Sequence, residues 1–307
     1  MNGRRKRMGW WIGGISLALL LGLALVVWNM ASGHGGPRLV DWIDRASAGS
    51  REVAQLANVQ LGDDPAVTAA VYAQPLGKGD APRPVIVFTH GGGWNWGDPD
   101  DYGFIARSLA SEGYVVVLTG YRLFPQVRFP AMLEDLATAV AWTDANIARF
   151  GGDPGRIVLM GHSAGAYNSL MLGLDRQWLA DEGLDADRFA GVVSLAGPAD
   201  FYPFDKESSI NSFGQAPDPQ ATQPVNFARA DAPPLLLVHG GADTVVRIRN
   251  SEALARAVAG LGGRVDTAFY PEMGHNDVLL KLASPWWRDN RVRTRVLAFL
   301  ADVAPTD

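Results

Sequence analysis

The sequence predicts an α/β fold, in which helices flank a mostly parallel central sheet. Short, continuous apolar runs, partly β-branched, recur along the chain as expected for strands buried on both faces. Stretches with apolar residues at helical spacing alternate with these runs. The alternation extends over roughly 250 residues, an ordinary size for one wound α/β domain. We therefore expect one large domain over residues 51–307.

We predict a strand wherever a continuous apolar run is too short to form a helix. The predicted helices lie where apolar side chains recur every three or four positions, as at Leu133, Leu136 and Val140. The strands cover residues 84–89, 115–118, 157–160, 191–195, 235–238 and 265–270, and the helices cover 129–149, 251–261 and 291–303.

The most informative motif is the pentapeptide Gly-His-Ser-Ala-Gly at residues 161–165. It follows the predicted strand 157–160 and precedes the helix-compatible stretch 167–172. A Gly-x-Ser-x-Gly between a strand and a helix is typical of a nucleophile elbow, a sharp turn that exposes the serine hydroxyl above the sheet. The N-terminus of the following helix then faces any negative charge that develops there. Ser163 is therefore predicted to be a nucleophile.

A second glycine-rich element, His-Gly-Gly-Gly-Trp at residues 90–94, follows the predicted strand 84–89. Acyl transfer needs preorganised N–H donors for the oxyanion of its tetrahedral intermediate, and consecutive glycines allow a close backbone approach. We predict that Gly92, Gly93 and Ala164 supply these donors. A flexible phosphate-binding loop is the alternative, but the loop lacks the Gly-Lys-Ser/Thr ending and the Gly-x-Gly-x-x-Gly spacing.

A serine hydroxyl needs an imidazole base. The chain has five histidines. Four of them lie in a Gly-rich linker, the glycine loop, the elbow and a buried strand end. The fifth, His275, lies in a loop just after the predicted strand 265–270, where α/β sheets place catalytic groups. We predict that His275 is the base.

The acid that orients the base is expected in the loop after the strand 235–238, which contains Asp243. The order Ser163, Asp243, His275 is then the nucleophile, acid, base order of α/β-hydrolases. Asp277 and Asp266 remain alternatives. Asp277 is two residues past His275 and Asp266 lies early in a strand, so each would need an unusual reach.

Five motifs in the expected order resemble an α/β-hydrolase esterase over residues 50–302. The likeness is to the feruloyl- or carboxylesterase branch, near the hormone-sensitive-lipase and arylformamidase branches, and it implies ester or amide hydrolysis without a cofactor. The lipase-like branch usually has Asp before its serine and a second Gly after the elbow, whereas this chain has His162 and Ala166. The motifs are residues 90–94, 121–125, 129–135, 150–154 and 161–165.

Residues 1–30 are predicted to be a membrane anchor or a signal segment. A basic cluster at 4–7 precedes an uncharged apolar run at 10–28, which at about 1.5 Å per residue is long enough to cross a roughly 30 Å hydrocarbon core. The basic residues should stay in the cytoplasm, so the catalytic domain is expected on the extracytoplasmic (periplasmic) side. No clean small-x-small cleavage site follows, which favours an uncleaved transmembrane helix over secretion after cleavage.

Two further segments are set apart by their composition. Residues 31–50 are predicted to be a Gly-rich linker and an entry segment, with a short helix at 40–48 that carries Trp42 and Ile43 on one face. We expect this face to pack on the domain, and contact with the membrane is the alternative. Residues 198–234 interrupt the alternation with aromatic and proline residues, which is typical of a lid-like insertion or pocket wall beside an active site. We hypothesise an apolar acyl or aryl pocket. Its aromatic surface would come from the segment itself, with Phe201, Tyr202, Phe204 and Phe213, and from Trp94, Trp96, Phe124, Tyr167, Trp286 and Trp287.

Composition excludes several classes of site. The chain has no cysteine, which excludes disulfides, thiolate metal sites and a cysteine nucleophile. Its net charge is −5, so we expect no nucleic-acid partner. No metal-binding constellation stands out, and we expect no cofactor.

The prediction is a serine hydrolase that cleaves carboxylic esters of small or aryl substrates through an acyl-enzyme. An amidase, an arylformamidase or an exopeptidase would use the same triad, although an exopeptidase would also need a site for a peptide terminus. A non-catalytic binding protein of the same fold is less favoured, because no triad member is missing.

Overall fold

The computed structural model describes residues 36–47, 52–77, 79–283 and 289–306. The predicted membrane segment at residues 1–30 lies outside these ranges. Within them, no helix has the length and apolar character needed to cross a bilayer.

An eight-stranded sheet forms the centre of the domain, in the order β1-β2-β4-β3-β5-β6-β7-β8. The pairs β1/β2 and β2/β4 are antiparallel and the other neighbours are parallel, which confirms the predicted mostly parallel sheet. The strands are β1 Ala54–Gln60, β2 Thr68–Ala73, β3 Arg83–Thr89, β4 Val115–Thr119, β5 Gly152–His162, β6 Gly191–Leu195, β7 Leu235–Gly240 and β8 Val265–Tyr270.

Helices cover both faces of this sheet, and alternating side chains of each inner strand pack against them. On β3, Val85 and Val87 belong to one buried apolar cluster, and Ile86 and Phe88 belong to the other. Burial on both faces explains the uninterrupted apolar runs. The helices are α1 Gly36–Ser47, α2 Gly103–Ala110, α3 Ala131–Asn146, α4 Ala164–Leu174, α5 Gln177–Ala180, α6 Glu207–Phe213, α7 Arg249–Gly260, α8 Asp277–Leu280 and α9 Arg291–Val303.

The entry helix α1 is held against α2 by ion pairs rather than by packing of its aromatic residue. It begins at Gly36, four residues before the predicted start, and its buried Asp41 and Asp44 each lie 2.6 Å from the guanidinium of Arg107 on α2. Trp42 is 65% exposed, so the prediction that it packs on the domain is wrong. The two ion pairs set the rotation of α1, because unpaired carboxylates are far more costly to bury than an indole is to expose.

The segment 198–234 contains α6 and two short 3-10 turns, Pro219–Thr222 and Pro224–Phe227. The buried Gln223 side chain accepts hydrogen bonds from the amides of Phe201 and Tyr202, at 2.7 and 3.1 Å. A Cβ built on Gly93 would lie 3.2 Å from Cβ of Ser208 on α6. The segment therefore lies directly against the glycine loop.

Candidate active site

The serine of the elbow lies where β5 ends and α4 begins. Ser163 has φ 55° and ψ −119°, a conformation that non-glycine residues rarely adopt. The backbone at Gly165 passes close to the backbone at Thr89, since a Cβ on Gly165 would lie 2.1 Å from the Thr89 carbonyl oxygen. Only glycine fits there, which explains the second glycine of the motif.

Ser163, His275 and Asp243 lie in a continuous hydrogen-bonded chain. Oγ of Ser163 is 2.9 Å from Nε2 of His275, and Nδ1 of His275 is 2.7 Å from Oδ2 of Asp243. Because a carboxylate only accepts, Nδ1 carries the proton and Nε2 of the neutral ring accepts from the serine hydroxyl. The loops after β5, β7 and β8 meet because parallel neighbours end at the same edge of the sheet.

The two alternative acids lie elsewhere. Asp277 accepts a hydrogen bond from the Gly274 amide at 2.6 Å, and Asp266 pairs with Arg295 at 3.1 Å. Neither pairs with the His275 ring in the part of the chain that the structure describes. Of the three carboxylates considered, Asp243 is the one that contacts the imidazole.

The carboxylate of Asp243 is held ionised by its surroundings. Burial by itself raises the pKa of Asp243, but hydrogen bonds from His239 and His275 and the amide of Val246 outweigh burial and hold the pKa well below its usual value. Oδ1 accepts from the amides of Val245 and Val246 at 2.8 and 2.9 Å. Each oxygen thus has its own donors, which fixes the plane of the carboxylate.

Two histidines that the sequence analysis left aside belong to this site. His239, fully buried at the end of β7, lies 3.4 Å from Oδ2 of Asp243, and its Nε2 donates to the Val246 carbonyl at 2.8 Å. Nδ1 of His239 lies 2.7 Å from Oγ of Ser251. The only feature of the sequence that could have indicated this contact is the spacing of four residues between His239 and Asp243.

His162, the variable residue of the elbow, packs against the His275 ring with centroids 4.8 Å apart. Its Nε2 lies 3.1 Å from the backbone oxygen of His275 and carries the proton, because a carbonyl only accepts. Burial, reinforced by the neighbouring His275, lowers the pKa of His162 to about 3. His162 is therefore a neutral donor that holds the backbone of the loop carrying His275.

His90 is a further buried histidine near the elbow. It stacks on Tyr121 with ring centroids 4.5 Å apart, and its Nδ1 lies 2.7 Å from the Gly91 carbonyl oxygen. Burial lowers the pKa of His90 to about 4.

Because these two histidines are neutral when buried, we predict that the folded protein loses stability in weak acid. Below pH 6.5 the unfolded chain protonates His90 and His162, whereas the folded chain keeps both rings neutral until about pH 4 and 3. The unfolded state then binds more protons, so the free energy of unfolding falls as the pH falls. At pH 5 we expect a loss of about 2 kcal/mol per histidine relative to pH 7.5. Urea unfolding at the two pH values measures it.

The control variant is His162→Gln, which keeps an N–H donor and removes the basic ring. It should lose about half of the difference in unfolding free energy between pH 7.5 and pH 5. An unchanged difference would refute the assignment of His162 as a neutral, buried group.

The glycine loop lines the same cavity as Ser163. Gly92 has φ 123°, and a Cβ there would lie 1.8 Å from the Trp96 carbonyl oxygen, so the tight turn requires glycine. The amides of Asn95 and Trp96 both donate to the Gly92 carbonyl, at 3.1 and 3.2 Å. Gly92 and Gly93 thus form a rigid loop beside the elbow, and Ala164 is the first residue of α4.

The cavity has a volume of about 770 Å³ and mixed walls. Trp94, Trp96 and Phe201 line it, but Tyr167 packs beneath them in the core and Phe124 lies under the Arg128 guanidinium. The prediction that aromatic side chains line the pocket is thus correct for only some of the residues named. Trp286 and Trp287 lie outside the described residues. Many other wall residues are polar or charged, namely Asp205, Lys206, Glu207, Asn211, Arg247, Arg249 and Asn276.

Comparison with known proteins identifies the family. Residues 71–258 match the family described as BD-FAE. The chain belongs to the BD-FAE family. Relatives of this BD-FAE protein include esterase LipC of Mycobacterium tuberculosis, 31% identical over 72% of this chain and 60% of the relative. The isoprenylcysteine alpha-carbonyl methylesterase ICME of Arabidopsis thaliana is 27% identical over 73% of this chain and 57% of the relative. The BD-FAE chain thus spans about three-fifths of the length of these relatives.

Solved structures share the fold of this BD-FAE protein. Esterase B from Lactobacillus rhamnosis superimposes with a TM-score of 0.72 at 19% identity, over 93% of this chain and 95% of that chain. Thermogutta terrifontis esterase 2, phosphorylated by paraoxon, gives 0.66 at 22% identity, over 83% of this chain and 95% of that chain. Together with the family match, they confirm the predicted α/β-hydrolase fold and the resemblance to its esterases.

Proposed function

We propose that this protein is a carboxylic ester hydrolase that acts through an acyl-enzyme formed on Ser163. The observation that carries the proposal is the hydrogen-bonded chain from Ser163 through His275 to Asp243, with distances of 2.9 and 2.7 Å. The relatives named above, an esterase and a methylesterase, support the same reaction class.

The proposed mechanism follows from the positions of these atoms. Oγ of Ser163 attacks the ester carbonyl carbon while Nε2 of His275 takes the hydroxyl proton. Asp243 keeps the imidazole in the required tautomer and stabilises its cationic form. The proton then passes to the leaving alkoxide, and the alcohol departs. Water, deprotonated by His275, attacks the acyl-enzyme, and the free acid and Ser163 are released.

The oxyanion is proposed to bind the amides of Gly92, Gly93 and Ala164. Two of these residues lie on the rigid glycine loop and line the cavity beside Ser163, and the third begins α4. The N-terminus of α4 adds a partial positive charge to the same place. No cofactor takes part in this mechanism.

We propose a small or aryl group for the part of the ester that enters the cavity. Trp94, Trp96 and Phe201 supply flat apolar surface beside Ser163. The volume of about 770 Å³ suits a small ligand rather than a polymer chain.

Hydrolysis of p-nitrophenyl esters from acetate to palmitate tests the activity, and a labelling experiment tests the nucleophile. Paraoxon should inactivate the protein and add one diethyl phosphate group, which peptide mass spectrometry should locate at Ser163. A label elsewhere, or no label with a folded protein, would contradict the nucleophile. Cleavage of p-nitrophenyl amides or aryl formamides without esterase activity would reassign the substrate class.

We propose in addition that residues 10–28 anchor the chain in a membrane, with the catalytic domain on the extracytoplasmic side. The basic residues at 4–7 and the uncharged run that follows support this orientation. Carbonate washing should leave the full chain in the membrane pellet, and protease added to spheroplasts should digest the domain. Release of a shortened domain into the medium would favour signal cleavage instead.

A further inference from the structure

The wall of the catalytic cavity includes the start of the entry helix. Gly36 and Pro37 line the same cavity as Ser163. They are held in place through the rest of α1, because Arg107 pairs with the buried Asp41 and Asp44, both at 2.6 Å. The position of residue 36 relative to Ser163 is therefore set by the fold.

This wall lies a short chain length from the proposed anchor. Met30, the last residue of the anchor segment, and Gly36 are six positions apart in the sequence. Six fully extended residues span at most about 20 Å. A domain of this size is about 45 Å across. With residues 10–28 in the bilayer, the cavity must lie in the half of the domain nearest the membrane.

Exposed apolar side chains concentrate on the segments that build this cavity. Val245, 55% exposed, lines the cavity itself, and Trp42, 65% exposed, lies on α1. Tyr202 and Ile210, 42% and 51% exposed, belong to the segment 198–234 that forms another wall. Trp and Tyr in particular favour the membrane interface. Among the described residues, the other large exposed apolar side chains are Leu56, Leu76 and Leu261, on or next to β1, β2 and α7.

The charges around the cavity suit zwitterionic headgroups. Lys206, Arg247 and Arg249 line it with exposed side chains, and in the described part of the chain no carboxylate lies within ion-pair distance of them. Asp205 and Glu207 also line the cavity. Groups of both signs can therefore meet the phosphate and the ammonium of a phosphatidylcholine surface.

We propose that the exposed apolar side chains on the segments that build the cavity dock on a membrane. This apolar rim consists of Trp42, Tyr202, Ile210 and Val245. The substrate is then an amphiphilic carboxylic ester that the bilayer presents, with its acyl carbonyl reaching Ser163 from the interface. This inference rests on the proposed esterase activity and on the proposed anchor.

The first test lengthens the connection and leaves every described residue unchanged. A Gly/Ser insertion of roughly 20 residues after Gly33 adds a flexible tether of about 25 Å r.m.s. length. Full-length protein is reconstituted in phosphatidylcholine vesicles that contain p-nitrophenyl palmitate, and p-nitrophenyl acetate in the buffer serves as the water-soluble substrate. We expect the ratio of palmitate to acetate turnover to fall roughly 5- to 10-fold, because the local concentration of bilayer at the cavity falls with tether length.

The second test removes the apolar rim. The double variant Trp42→Ser/Ile210→Ser should lower vesicle turnover several-fold, because it removes apolar surface that would enter the interface. It should leave acetate turnover within about twofold. The matched control is Leu56→Ser/Leu261→Ser, which removes two apolar side chains, 42% and 56% exposed, from other parts of the surface. This control should leave the ratio unchanged.

Each outcome has one meaning. A ratio unchanged by both the insertion and the rim variant overturns the docking surface while acetate turnover upholds the esterase. Release of the unmodified chain from vesicles by carbonate refutes the anchor, and the docking surface with it. Failure of the folded chain to cleave either ester refutes the proposed function itself.

Discussion

Ser163→Ala is expected to lower kcat for p-nitrophenyl acetate roughly a million-fold, the scale seen when the serine of such a triad is removed. The reason is that no other hydroxyl is both 2.9 Å from Nε2 of His275 and next to the glycine loop in the described part of the chain. KM should change little, because the cavity walls are untouched. Steady-state rates and the loss of the acyl-enzyme burst measure both effects.

The matched control is Ser169→Ala, on the same helix α4. Ser169 is buried, and its hydroxyl has no hydrogen-bond partner among the described residues. Its removal should leave kcat and the melting temperature close to those of the unmodified protein. Retention of wild-type turnover by Ser163→Ala would exclude the proposed mechanism.

Asp243→Asn is expected to lower kcat by about 10⁴-fold while the protein stays folded. The carboxylate accepts from Nδ1 of His275 at 2.7 Å, and this bond leaves Nε2 free to take the serine proton. An amide that donates to Nδ1 would favour the opposite tautomer, with a proton on Nε2, which then has no free lone pair for the serine. The measurement is kcat as a function of pH, together with the unfolding midpoint in urea.

Asp266→Asn is the matched control, because Asp266 was an alternative acid in the sequence and pairs with Arg295 at the surface. Surface ion pairs contribute about 1 kcal/mol or less, so activity and stability should change little. If Asp266→Asn or Asp277→Asn lost activity by the larger factor while Asp243→Asn did not, the acid would have to be reassigned.

Five of the six inner strands were predictable because burial on both faces demands uninterrupted apolar runs. The sixth, Thr68–Ala73, was missed although it is buried. Val115–Thr119 and Leu235–Gly240 lie within one or two residues of their predicted bounds. Ala54–Gln60 was missed, since this edge strand is largely exposed and carries no apolar run. Helix α2 was missed as well, because nearly all of its residues are buried and it has no polar face.

The packing of α1 could not be predicted from the residue pattern within the helix. Its apolar residues suggested contact through Trp42, but Trp42 is exposed and, among the described side chains of the helix, the buried ones are those of Asp41 and Asp44. Their partner, Arg107, is 66 residues from Asp41 in the sequence. No periodicity within the helix contains that information.

The sequence by itself determined the order of the proposed nucleophile, acid and base and the two glycine-rich turns, because tight turns and chemistry restrict residue type at single positions. Only the tertiary structure decided how the site is supported. It brought His162 against His275 and His239 against Asp243, and it made Gly36 a wall of the cavity. These contacts join residues from different strand ends and from the entry helix. They arise from the register of parallel strands and from long-range ion pairs, which the pattern within any one segment does not encode.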